Sequence, residues 1–196
     1  MDGPTRDDAW TLVCEWIDSD SLRKHVLGVE AAMRAYARAG DEDEDEELWA
    51  ITGLVHDLDY ERYPDLETGH PRYALNELEE RGYPPEVIEA VAGHADFLGV
   101  PRETRLAKTL YAVDELSGFI AACALVRPTG IEGMKPKSVR KKLKQPSFAA
   151  KVDRDQIARG MEELGVDESE HIQLVIDAMA ARADELGLAP ASDSSR

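Results

Sequence analysis

A chain of 196 residues, with 40 acidic against 23 basic side chains and a formal charge of −17, has enough length for one hydrophobic core. It has the wrong sign for general nucleic-acid binding, which needs a basic face to neutralise phosphates, and no membrane surface is implied. Aromatics are 6% of the residues, strand-like alternation of Val, Ile and Thr is nearly absent, and Ala, Leu, Glu and Arg recur at helical spacing, so the expected class is all-α in a single domain.

In chain order, the spacing predicts helices over 7–18, 21–39, 45–58, 71–81, 84–97, 103–126, 137–144, 153–164 and 168–186. Stops fall at Gly40, Gly82, Pro128 and Gly165. Asp20 or Ser21 is placed to cap the second helix, Pro85 suits the first turn of the fifth, and "DESE" from Asp167 caps the last. The first 20 residues are expected to form a helix packing on a domain over 21–186, with 187–196 a disordered tail. "DEDEDEE", Asp41 to Glu47, reads as a solvated loop running into an acidic first turn. Cys14 and Cys123 sit in apolar helical stretches and are expected as buried free thiols. "MDGPTRDDAW" has no basic region followed by an apolar stretch, and no window reaches the ~18 apolar residues that span a bilayer, so a cytoplasmic location is expected.

The histidines break the apolar pattern. Val29, Ala32 and Tyr36 lie on the stripe of His25, and Leu48, Trp49 and Thr52 on that of His56, so both rings are expected to face inward. Asp57 follows His56 at a helix end, where adjacent side chains can converge because the last turn is free to relax. Asp114 shares a face with Leu110, Ser117, Gly118 and Ala121, and an isolated carboxylate there costs several kcal/mol unless a cation, a hydrogen-bond set or a metal meets it. Its neighbour Glu115 falls on another face and can be solvated. His70 opens the fourth helix, and His94 shares a face with Val87, Ala90 and Val91. His171, among acids, is expected on the surface. A single inward histidine is commonly a hydrogen-bonded core residue, but His25, His56, Asp57 and Asp114 together lower one another's cost if they share a cation.

The order His25, then the adjacent pair His56 and Asp57, then Asp114 resembles the HD superfamily of metal-dependent phosphohydrolases. "HDLDYERYP", "AVDELSGFIAACALVRP" and "KSVRKKLKQPSFAAKV" are similar to small stand-alone HD proteins, and the resemblance covers most of residues 20–180. It implies an HD-type helical bundle with those four residues as ligands of one divalent metal. Some branches hold two metals through two further histidines. His70 and His94 occupy that interval, with Asp57 as the bridge, although the step of 13 residues from Asp57 to His70 is shorter than in many two-metal relatives. The lysine motifs of cyclic-dinucleotide phosphodiesterases are not apparent.

Imidazole and carboxylate ligands suit Mn, Fe, Co, Ni or Zn, as one ion or two. In a hydrolase such an ion lowers the pKa of water from about 15.7 toward about 7. The expected reaction is attack on the phosphorus of a small phosphorylated metabolite, with a nucleotide leading, in which Asp57 is catalytic and Asp59 and Glu61 are candidates for the general acid, although both can equally be exposed loop acids. The segment "KPKSVRKKLK", 135–144, concentrates positive charge. Lys135, Lys137, Arg140 and Lys141 are expected to hold the substrate phosphate, Ser138 to cap the short helix, and the segment to close the metal cleft if it folds back over the Asp114 helix. It can equally be a solvated basic helix. Two other readings stand beside hydrolysis: an HD-type di-iron oxygenase, and a metal-stabilised nucleotide sensor without turnover.

Overall fold

Ten helices follow one another, with no strand among the described residues, which are 3–40 and 44–190 of the computed structural model. Asp41 to Asp43 of the acidic run and the end of the expected tail, 191–196, lie outside them.

Two long helices form the axis: α2 (Asp20–Arg38) and α6 (Arg105–Leu125). Around them stand α1 (Arg6–Trp16), α3 (Glu46–Val55), α4 (Arg72–Glu80), α5 (Pro85–Gly93), α7 (Pro136–Leu143), α8 (Arg154–Leu164), α9 (Glu168–Ala180) and α10 (Ala183–Leu186). α2 packs on α3, α6 and α9, while α6 also carries α5 and α8. Two glycines set the closest approaches. A Cβ at Gly53 would stand 2.9 Å from the Glu30 backbone, and one at Gly160 would stand 2.6 Å from Cα of Ala112. Without side chains there, α3 presses against α2 and α8 against α6, which brings the C-terminal end of α3 and the N-terminal end of α8 to the middle of α6.

The predicted helices match the observed ones except at their ends, where side chains take over from the backbone ladder. α3 stops at Val55, three residues short of expectation, because the turn after it gives its polar groups tertiary partners: the buried Asp59 carboxylate accepts from Ala74 N at 2.8 Å. α5 ends at Gly93 and a 3₁₀ turn, Asp96–Leu98, follows. The expected last helix breaks after Ala180, where Arg182 turns its guanidinium to Glu30 and Glu185. Ser19, rather than Asp20 or Ser21, caps α2 by accepting from Leu22 N, and Lys135, rather than Ser138, is the cap residue of α7. Pro85 and Asp167 stand at the helix starts expected of them. Leu188 is buried and its carbonyl accepts from Ile131 N at 2.9 Å, so the chain is packed beyond residue 187. Both cysteines are free thiols, Cys14 partly exposed and Cys123 buried. No described helix is long and apolar enough to cross a membrane.

One polar cluster ties the outer helices to α2. Glu30, 1% exposed, accepts from Arg6 at 2.9 and 3.0 Å, from Arg182 at 2.8 Å and from Arg34 at 3.3 Å.

Candidate metal centre

Six side chains from five places in the chain meet beside α6. His25 comes from α2, His56 and Asp57 from the turn leaving α3, His70 from the segment before α4, His94 from the end of α5, and Asp114 from the middle of α6. They form two groups that share Asp57, each with ligand atoms within 4.8 Å of one another. In the first, Nε2 of His25 lies 3.1 Å from Oδ1 of Asp114 and 3.6 Å from Oδ2 of Asp57, and Nε2 of His56 lies 3.3 and 3.5 Å from the same two oxygens. In the second, the other oxygen of Asp57, Oδ1, lies 3.6 Å from Nε2 of His70 and 3.7 Å from Nε2 of His94. The six residues expected as ligands are therefore brought together.

The outer nitrogens fix which way the lone pairs point. Nδ1 of His56 donates to the Gly53 carbonyl at 2.9 Å, Nδ1 of His70 to the Asp59 carboxylate at 2.7 Å, and Nδ1 of His94 to the Val91 carbonyl. With Nδ1 protonated, Nε2 of each neutral ring carries a lone pair directed into the cluster. Nε2 of His56 is buried with no hydrogen-bond partner among the described residues. Nε2 atoms of His70 and His94 face each other at 3.2 Å, an approach that two lone pairs tolerate only with a cation between or beside them. Two ligands each about 2.1 Å from a common ion, at angles between 90° and tetrahedral, stand roughly 3.0–3.4 Å apart. The donor atoms, their spacing and the orphaned nitrogen all fit divalent-metal binding.

The charge balance agrees. Burial disfavours a charged His56 ring, but the Asp57 and Asp114 carboxylates outweigh it and raise the ring to about 9. Burial likewise works against ionised Asp57 and Asp114, yet the neighbouring histidines hold both below the usual carboxylate range. The cluster thus favours a positive charge at its centre, whether a proton or a metal supplies it.

Five of the six ligand candidates, all but the fully buried His56, form the floor of a cleft of about 480 Å³, whose mouth is edged by the half-exposed Tyr60, Leu66 and Phe97. Its far wall holds Glu115, Asp153 and Gln156, and among the described residues no lysine or arginine lines it.

Several sequence expectations need correction here. Asp59 is fully buried and spends its oxygens on His70 and Ala74 N, so it orients a ligand instead of giving up a proton. Glu61 lies outside this cleft and accepts from Asp18 N and Ser19 N at 2.9 and 3.0 Å, which fixes the start of α2. Lys135, Lys137, Arg140 and Lys141 are not in the lining. Their helix packs on α9 and α6, and Arg140 reaches Glu168 at 3.5 Å. His171 is not at the surface: it is 1% exposed, accepts at Nδ1 from the Tyr36 hydroxyl and donates from Nε2 to the Ala112 carbonyl at 3.2 Å. Burial pushes its ring down to about 4.

Glu115 is the wall residue that sequence reasoning missed. Burial, then the charge of Asp114, raises it to about 7, and Oε2 accepts from Asp153 N at 3.1 Å. Its position beside Asp114 was the available signal; the covering of that face of α6 by the start of α8 was not legible locally.

Residues 22–118 match the family model for the HD domain, a span that runs from the first turn of α2 to just past Asp114 and includes all six ligand candidates. No curated protein and no solved structure gave a significant match. HD domains are all-α and in general metal-dependent phosphohydrolases that bind divalent metals. With that match lying over the residues that build the cluster, the chain contains an HD domain of the metal-dependent phosphohydrolase type.

Proposed function

We propose that the protein hydrolyses a small phosphate monoester, a nucleoside monophosphate being the leading candidate, with two divalent transition ions (Mn, Fe, Co, Ni or Zn) held side by side. The observation that carries this reading is Asp57, whose two oxygens face different ligand groups. His25, His56 and Asp114 complete one position, and His70 and His94 the other. Bound ions of this kind supply Lewis acidity toward phosphoryl oxygens and lower the pKa of water to about 7. The chain's own contribution is placement. Gly53 O, Asp59 and Val91 O hold three rings in the ligating tautomer.

The walls bear on the substrate. Lacking lysine and arginine, they leave the substrate's negative charge to the floor, which favours one phosphate over a triphosphate tail. Tyr60 and Phe97, 46% and 47% exposed, offer ring faces to a planar group. Oε1 of Glu115, free of the bond that Oε2 makes, is positioned to contact the leaving group.

The test is anaerobic reconstitution with Mn, followed by phosphate release from a panel of nucleoside monophosphates and sugar phosphates. Turnover of at least one member, abolished by Asp57→Ala, is expected. Turnover only with iron and oxygen, with label from the gas in the product, would replace this reading with the di-iron oxygenase. Tight nucleotide binding with no turnover would replace it with the sensor.

A further inference from the structure

A second cavity, of about 400 Å³, lies on the other side of His25, between α2 and α6 and beneath Met179 and Leu186 to Leu188. It shares only His25 and Gly118 with the metal cleft, so the His25 ring stands as a partition between two chambers. Ala121, Ala122 and Leu125 make its α6 wall. Apart from His25, no aromatic side chain among the described residues is in its lining. At its edge the charges of Lys24 and Asp20 cancel in a 2.7 Å pair.

Two polar atoms on residues that line this apolar chamber have no protein partner among the described residues. Oγ of Ser117, in a side chain 1% exposed, is buried without a hydrogen bond. A buried hydroxyl in that condition costs about 1–3 kcal/mol. The second is Nδ1 of His25. In the other three histidines of the cluster Nδ1 donates to a carbonyl or carboxylate, whereas His25 bonds only through Nε2, to Asp114. Nδ1 lies 3.8 Å from the position a Cβ would take on Gly118, so the missing side chain leaves that nitrogen open. When Nε2 serves as a ligand, Nδ1 carries the proton and needs an acceptor.

We infer that this chamber is a second ligand site, taking a short aliphatic molecule that ends in a hydroxyl or carbonyl oxygen, and that this oxygen accepts from Nδ1–H of His25. The aliphatic lining selects the body and the neutralised edge disfavours a charged end. The volume is at the low end of small-molecule sites. An acceptor on Nδ1 makes Nε2 a better ligand, as carbonyls and carboxylates do for the other rings, so the chamber and the metal centre strengthen each other's binding. The proton on Nδ1 and this coupling rest on the metal assignment above; occupancy of the chamber does not, because without a metal Nε2–H of His25 donates to Asp114 and Nδ1 is left to accept from a hydroxyl.

The test uses octan-1-ol as probe on the full chain. In chelator, the expected result is saturable binding that shifts the Met179 methyl resonance, weakened several-fold in Ser117→Ala and abolished in Ala122→Leu, which fills the chamber while leaving metal stoichiometry intact. Absence of saturable binding, or binding unchanged in both variants, would overturn the site even if phosphate release is observed. With octan-1-ol present, Mn affinity should rise on the order of tenfold in the unsubstituted chain and not in Ala122→Leu. Saturable binding with unchanged Mn affinity would overturn the link through His25.

Discussion

Glu30 and the pair Asp57 and Asp114 pose the same problem in two parts of one bundle, a carboxylate drawn into the interior, and the chain answers it in two ways. Around Glu30 the answer is fixed cation. Burial works against its charge, but Arg6 and Arg182 hold its pKa below the ordinary value, and three guanidinium groups from α1, α2 and the break after α9 saturate its oxygens. Around Asp57 and Asp114, side chains 14% and 13% exposed, the partners are imidazoles whose inner nitrogens are aimed at the carboxylates and at each other. Arginine cannot give up its proton, so the first cluster is permanent structure. Imidazole can, so the second is able to take an exchangeable ion, and it opens onto a cleft.

Removing one carboxylate from each cluster separates the two roles most strongly. Asp57→Ala takes a ligand from both metal positions at once and should lower both metal content and any phosphate release by at least about 100-fold. Glu30→Gln should leave metal content per folded chain unchanged while destabilising the fold by about 3–5 kcal/mol, because three arginines lose their counter-charge. Elemental analysis and urea unfolding in the same buffer read the two effects. Metal loss in Glu30→Gln at full folding would mean that the arginine cluster also shapes the metal centre.

A finer cut falls within the second cluster. His94 belongs to one ligand group only, so reconstituted protein near two ions per chain should fall toward one in His94→Ala, with His25, His56, Asp57 and Asp114 still loaded. A constant value of one in both proteins would show His94 to be a substrate-facing residue instead.

The ligands were legible in the sequence because each violates the pattern of its own helix: an imidazole or carboxylate on an apolar stripe announces a cost that something must meet. What stayed hidden was whatever depends on the direction of a side chain leaving a turn or on which helix covers a face. Asp59 and Glu61 follow the HD pair by two and four residues, yet one turns inward to His70 and the other outward to the start of α2. His171 has acidic neighbours in sequence, but Ile172, Val175 and Ile176 also lie on the buried side of α9, and its partners Tyr36 and Ala112 are far away in the chain.

His171 offers a third contrast, a buried imidazole bonded to a hydroxyl and a carbonyl, with no carboxylate among its hydrogen-bond partners. Its folded value near 4 lies below the unfolded value near 6.5, so between these limits the unfolded chain binds more protons. The stability it contributes is full above about pH 6.5 and is lost as pH falls toward 4, on the order of 2 kcal/mol by pH 5. Unfolding free energies of the unsubstituted chain and His171→Gln should therefore converge or cross as pH is lowered from 7 to 5. A difference that stays constant over that range would place the ring in a less buried, solvated setting.

The smallest effect is expected where the sequence carries its strongest positive charge. α7 sits by Val139 against the bundle, Arg140 reaches Glu168 on α9, and the Lys142 ammonium lies 4.2 Å over the Phe148 ring. Burial pushes the Cys123 thiol up to about 11, and the charge of Lys142 partly opposes it, which places this helix beside Cys123. Cys123 is nine residues along α6 from Asp114, about 13 Å at the helical rise. That exceeds the screening length of roughly 8 Å at physiological salt. Lys135→Glu with Lys137→Glu should thus change neither metal content nor, beyond twofold, the Michaelis constant for a phosphate substrate at fixed ionic strength. A several-fold rise would mean that the basic segment reaches the substrate after all, and that the cleft between the ligand floor and Glu115 is completed by a movement of α7.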